Sequence, residues 1–141
     1  MIEFLKYRYQ LNKLLSERKK TKKQYDSAIE ETSDKSRKRS ELISEAMYFS
    51  DFIDFQIREL HTDYLQKVAN KLIVTIPNYN EENIWEKPIG YRRPILTNKG
   101  IHELKRAIRM EKKERREVVF NWIMLLTGLI GTLIGLVSVL K

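Results

Sequence analysis

Apolar residues fall along this 141-residue chain in three regimes. Over 2–31, Phe4, Leu11, Tyr25 and the pairs Leu14/Leu15 and Ala28/Ile29 recur at a helical period with no Pro or Gly among them. The run RKKTKK at 18–23 interrupts that seam, and TSDKSRKRS at 32–40 holds no apolar residue, so it reads as a connection. From Glu41 to about Val74 the period returns, with Ala46, Phe49, Ile53, Ile57, Leu60, Tyr64 and Val68 on one stripe. The two segments predict an antiparallel, coiled-coil-like helical hairpin over 1–74. At 100° per residue, Tyr48, Phe52 and Phe55 form a second patch away from the stripe. An apolar patch left in water marks an interface with another subunit, unless the 75–110 segment folds back over it.

The second regime, 75–96, holds all three prolines and is the least helical part. Ile84–Trp85 and Tyr91 to Leu96 are expected to pair as a short hairpin across EKPIG, with Pro94 confining the pairing to an edge. Thr97 is the expected N-cap of a third helix, in which Gly100 weakens the first turn slightly. The stretch PILTNKGIHELKRAI resembles the strand-to-last-helix ending of winged-helix regulators over 15 residues. No recognition helix precedes it, so no function is carried over. Past Gly100 nothing breaks the helix, so the basic segment 97–117 and the apolar segment 118–140 read as one rod of about 64 Å.

The third regime is the apolar end, 23 residues without a charge from Val118 to Leu140. As a helix it is about 34 Å long, against about 30 Å for a bilayer's hydrocarbon core. Its 14 Leu, Ile, Val and Phe residues favour insertion by about 4 to 8 kcal/mol. The expected topology is one C-terminal transmembrane helix in the plasma membrane. The flank KRAIRMEKKERRE is strongly basic and only Lys141 follows the span, which predicts a cytoplasmic N-terminal part and an outside C-terminus. Lys112, Lys113, Arg115, Arg116 and Trp122 are the expected interface residues. Gly128, Gly131, Gly135 and Ser138 recur at spacings of 3, 4 and 3 and so share one face, bordered by Thr127 and Thr132. Gly131 and Gly135 make a G-x-x-x-G pair, which predicts close packing between spans and a homo-oligomer.

Charge refines this picture. The net charge of +8 is divided into blocks: +6 over 1–40, −5 over 41–90 and +6 over 91–117, with Lys141 supplying the rest. The first two helices are thus electrostatically complementary. The absence of Cys excludes disulfides and thiolate metal sites. No phosphate-binding, dinucleotide-binding, nucleophile-elbow or H-E-x-x-H motif is present. His61 and Asp63 lack the spacing that sets two ligands on one helix face, so His61 is expected to be solvated or capping. Asp51, Asp54, Glu59 and Asp63 read as a solvated face. No catalytic, cofactor-binding or metal-binding residue, no cofactor and no small-molecule substrate is expected. The basic flank suits anionic lipid. The runs RKKTKK and KSRKR, with Tyr7, Tyr9 and Tyr25 near, suit either nucleic-acid phosphates or plain solvent.

The sequence therefore predicts an all-α, tail-anchored interaction protein. Its partners are the lipid bilayer, a second copy of itself and a cytoplasmic protein, in the manner of an adaptor or regulatory subunit. The alternatives are a holin-like or toxin-like effector whose spans assemble, and a membrane-tethered nucleic-acid binder.

Overall fold

The structure, a computed structural model, describes residues 2–32, 37–88 and 93–139, the side chains of 135 and 137–139 excepted. Three helices carry the chain: α1 (Ile2–Glu30), α2 (Arg37–Leu72) and α3 (Asn98–Val139). A two-stranded antiparallel ladder, β1 (Trp85–Glu86) and β2 (Ile95–Leu96), interrupts them. The fold is helical, with the expected hairpin and the expected long apolar helix at its C-terminal end.

The hairpin forms where the apolar period placed it. Tyr7 stacks on Tyr64 with ring centroids 4.0 Å apart, Phe4 lies beside Tyr64, and Tyr25 meets Phe49 nearer the turn. Arg18 pairs with Asp54 at 2.9 Å between them. Residue numbers that rise on α1 thus meet numbers that fall on α2, and the two helices are antiparallel. The second helix starts one turn earlier than the apolar period implies. Arg37 pairs with Glu41, and the Ser40 hydroxyl donates to the Arg37 carbonyl, so polar residues complete the first turn.

The main core lies elsewhere than in the hairpin seam. No residue of α1 is buried. The largest buried cluster joins Leu65 and Ala69 of α2, Ile84 and Trp85, Leu96, and Ile101, Leu104 and Ile108 of α3. Leu65 and Ala69, with buried Thr62, recur at i, i+3 and i+7 on a face of α2 distinct from the stripe that meets α1. One helix therefore serves two neighbours. Thr62 Oγ1 donates to the Arg58 carbonyl and accepts from the backbone N–H of Leu96, so its buried hydroxyl is satisfied on both sides.

The described parts of the 73–97 segment are ordered by local bonds despite the prolines. Asn78 and Glu81 close a turn through main-chain and side-chain bonds, and Trp85 Nε1 donates to the Pro77 carbonyl at 3.1 Å. The ladder registers Trp85 with Leu96 and Glu86 with Ile95. Strand pairing in this linker is as expected, one residue displaced on the first strand. The expected contribution of Tyr91 and Arg92 lies outside the described residues. Thr97 is the N-cap: its Oγ1 accepts from the Gly100 N–H at 3.1 Å, and its carbonyl accepts from Ile101.

This return makes α3 run parallel to α2. Leu96 meets Thr62 at one end, and Arg115 donates to the Leu72 carbonyl at 2.8 Å at the other. Beyond Arg115, α3 leaves the body, and its side chains are exposed throughout the described part of the apolar segment. This helix is long and apolar enough to cross a membrane, and none of its most apolar window is buried.

The end of α2 holds one strained residue. Val74 N–H bonds to the Ala69 carbonyl and Ile73 N–H to that of Asn70, the paired bonds of a Schellman motif. The motif needs a left-handed residue, ordinarily glycine, yet Ile73 occupies it at φ 60°. A β-branched residue there costs of order 1–3 kcal/mol.

Candidate functional site

The end of the body nearest the apolar segment gathers the residues the charge pattern singled out. Lys112, Lys113, Arg115 and Arg116 are all exposed on the turn of α3 that precedes Val118. Arg115 also has structural work. Its Nε donates to Glu111 Oε1 at 2.7 Å, and its terminal nitrogen caps the carbonyl of Leu72. A cation at a helix C-terminus meets the negative end of the helix dipole. Lys113 pairs with Glu117 at 3.6 Å, so part of the positive charge is balanced within the helix.

Trp122 is exposed one turn past Val118. Farther along, the Thr127 hydroxyl donates to the Ile123 carbonyl and that of Thr132 to Leu129, each at 2.8 Å. Both hydroxyls are thus satisfied within their own helix, which is what a helix in hydrocarbon requires. A Cβ added to Gly128 or Gly131 would meet no atom within 4 Å. The glycine face is open, with Thr132 beside it. Gly135 and Ser138 belong to the same helix, but their surroundings lie outside what the structure describes.

Tyr48, Phe52 and Phe55 lie near the middle of α2, toward its N-terminal half. The linker engages α2 from Arg58, which pairs with Glu86, through Thr62 and onward. Tyr48 is 76% exposed and Phe52 42%, whereas Phe55 is half-buried. Glu41, Glu45 and Glu59 are exposed at helical spacing around them, so the patch has an acidic rim. On the other flank, Leu15, Ile43 and Met47 line an open groove between α1 and α2, bordered by Arg18, Lys19 and Lys22. The basic run 18–23 is thus part of the hairpin arm. From Asp54, the partner of Arg18, to Leu72 the helix rises about 27 Å, several Debye lengths from the basic turn of α3.

A polar junction forms where all three helices meet, and sequence reasoning missed it. His61 is half-buried, with its Nδ1 2.7 Å from the Tyr7 hydroxyl. Burial, and then the nearby Lys105, push the His61 pKa down. Burial, followed by Tyr64, pushes that of Tyr7 up. Lys105 is lowered by burial and by Arg109. His61 and Tyr7 are both held neutral, as suits a structural hydrogen bond between packed helices. The aromatic pair Tyr7 and Tyr64 on facing stripes was the available signal for this junction. Lys105 comes within reach only because α3 runs parallel to α2. Among the described residues, no three His, Asp or Glu side chains are grouped for a metal. No family model, curated protein or solved structure matches this chain.

Proposed function

We propose that the chain is a single-span, membrane-anchored interaction protein, a self-associating adaptor or regulatory subunit with the helical body in the cytoplasm. One observation carries this reading: α3 is a single helix from Asn98 to Val139, clamped by the body over its first half and bare over its apolar half. No break separates the part of α3 that packs on the body from its apolar part. A partner that shifts α1 and α2 against α3 would act directly on the apolar helix, provided each end has two arrangements. The excess of Lys and Arg on the turn before Val118 supports the inward orientation of the body.

The arm formed by α1 and the first half of α2 supplies the contact surface. Its Tyr48 and Phe52 patch has an acidic rim, and exposed Lys19, Lys20 and Lys23 lie on α1. A second copy therefore offers complementary charge as well as apolar area. Full-length protein in mild detergent is expected to run as an oligomer that Phe52→Ser with Phe55→Ser shifts toward monomer. An unchanged mass would remove the patch from the interface. Crosslinking in membranes is expected to capture a second copy or a stable protein partner.

The open Gly128 and Gly131 face favours a second reading, in which spans assemble and breach the bilayer. That reading predicts depolarisation of cells on overexpression and its loss in Gly131→Leu. The adaptor reading predicts an unchanged membrane potential in both.

A further inference from the structure

The end of α2 combines three features that the anchor alone does not require. Ile73 is held at a positive φ where glycine would fit without strain, and its side chain is 86% exposed. It directly follows Leu72, whose carbonyl is bonded to Arg115. Arg115 stands three residues before Val118, a rise of about 4.5 Å along α3. Because α2 and α3 run parallel and the Arg115 guanidinium reaches the Leu72 carbonyl, Ile73 sits at the level that this side chain reaches. A bilayer of about 40–45 Å with a hydrocarbon core of about 30 Å has a polar layer of roughly 5–8 Å on each side. If the apolar segment fills the core, Ile73 is at the height of that layer. Lys67 and Lys71 on α2 and Lys112 and Arg116 on α3 are exposed near the same end. Apolar and basic groups at one level are what an anionic headgroup surface binds.

We infer that the turn after α2 is a second bilayer contact, with Ile73 set into the headgroup layer and flanked by lysines of α2. The inference rests on the membrane-spanning reading of α3. The bilayer thus holds the body at two points, α3 and the end of α2, and fixes its rotation about the span. An isoleucine is kept in a glycine position because its side chain meets lipid.

The chain has no cysteine, so single labels are unambiguous. Full-length Ile73→Cys, Leu129→Cys and Met47→Cys, each carrying an environment-sensitive fluorophore, are compared in vesicles containing phosphatidylserine. Quenchers fixed at the headgroup and at mid-chain report depth. The expected result is strong headgroup quenching and blue-shifted emission at 73, mid-chain quenching at 129, and water-like emission at 47. If 129 is quenched by lipid while 73 behaves like 47, the second contact is wrong and the span stands. If 129 is itself water-exposed, the spanning reading fails and the second contact fails with it.

Discussion

Gly100 sets two physical effects against each other. It lies in the first turn of α3, where helix propensity favours alanine by about 0.8–1.0 kcal/mol. On that ground alone Gly100→Ala should stabilise the protein. The structure reverses the sign. A Cβ at Gly100 would come within 2.3 Å of the Ile84 carbonyl oxygen, 2.9 Å of Leu96 Cδ2 and 3.1 Å of Ile84 Cγ2. The Ile84 carbonyl cannot retreat freely, because it accepts from both the N–H and the hydroxyl of Thr97. Overpacking of this kind costs about 1–3 kcal/mol, and loosening the cap adds about 1 kcal/mol. After the propensity gain, Gly100→Ala should destabilise the body by about 1–3 kcal/mol. Denaturant unfolding of the full-length protein in micelles measures this. Trp85 fluorescence in a Trp122→Phe background confines the signal to the core. Gly131→Ala, which meets no neighbour, should leave the core transition in place. A midpoint for Gly100→Ala equal to or above that of the parent would refute the close approach of α3 to the linker.

Two further changes test the packing. Thr62→Val keeps the shape but strands the buried Leu96 N–H, and should cost about 1–3 kcal/mol in the same unfolding assay, whereas Thr62→Ser should cost less. His61 should give a pH signature. Its folded pKa lies below the ordinary value of about 6.5, so the unfolded chain binds more protons in the window just under 6.5. Its stabilising contribution is complete above that value and is lost as pH falls toward the lower folded pKa. The melting temperature should therefore drop between pH 7 and pH 5.5, and the drop should shrink in His61→Gln. An NMR titration placing the His61 imidazole at or above 6.5 would contradict the burial described here.

The hairpin and the long third helix were legible because both rest on local periodicity. Ala46 to Val68 repeat at 3.6 residues, and nothing after Gly100 interrupts α3. Thr97 could be read as a cap from its own chemistry. The core was harder to read. Its α2 face is made by Thr62, Leu65 and Ala69, of which only leucine is strongly apolar, so a stripe of larger residues outweighed it. Its other half comes from a Pro-containing linker that is seated on α2 by a long-range bond, from the Leu96 N–H to Thr62. The parallel course of α2 and α3 follows from that linker, and no local pattern encodes it. Gly100 illustrates the same gap: propensity marks it as a weak point, while tertiary contact makes its missing side chain a requirement. Arg115 was legible as a basic flank residue, but its bond to Leu72 depends on where α2 ends.

In the proposed arrangement α3 passes unbroken from a packed helix in the body into a membrane span. Nitroxide labels at successive single cysteines from 105 to 134, in full-length protein in vesicles, test it most directly. Accessibility to oxygen and to a water-soluble nickel reagent is read at each position. A 3.6-residue alternation is expected up to about 117, with its protected phase at Ile108. Beyond that, high oxygen and low nickel accessibility are expected from about 119 to 134. Nickel accessibility throughout 119–134, or a loss of helical phase between 115 and 120, would contradict it.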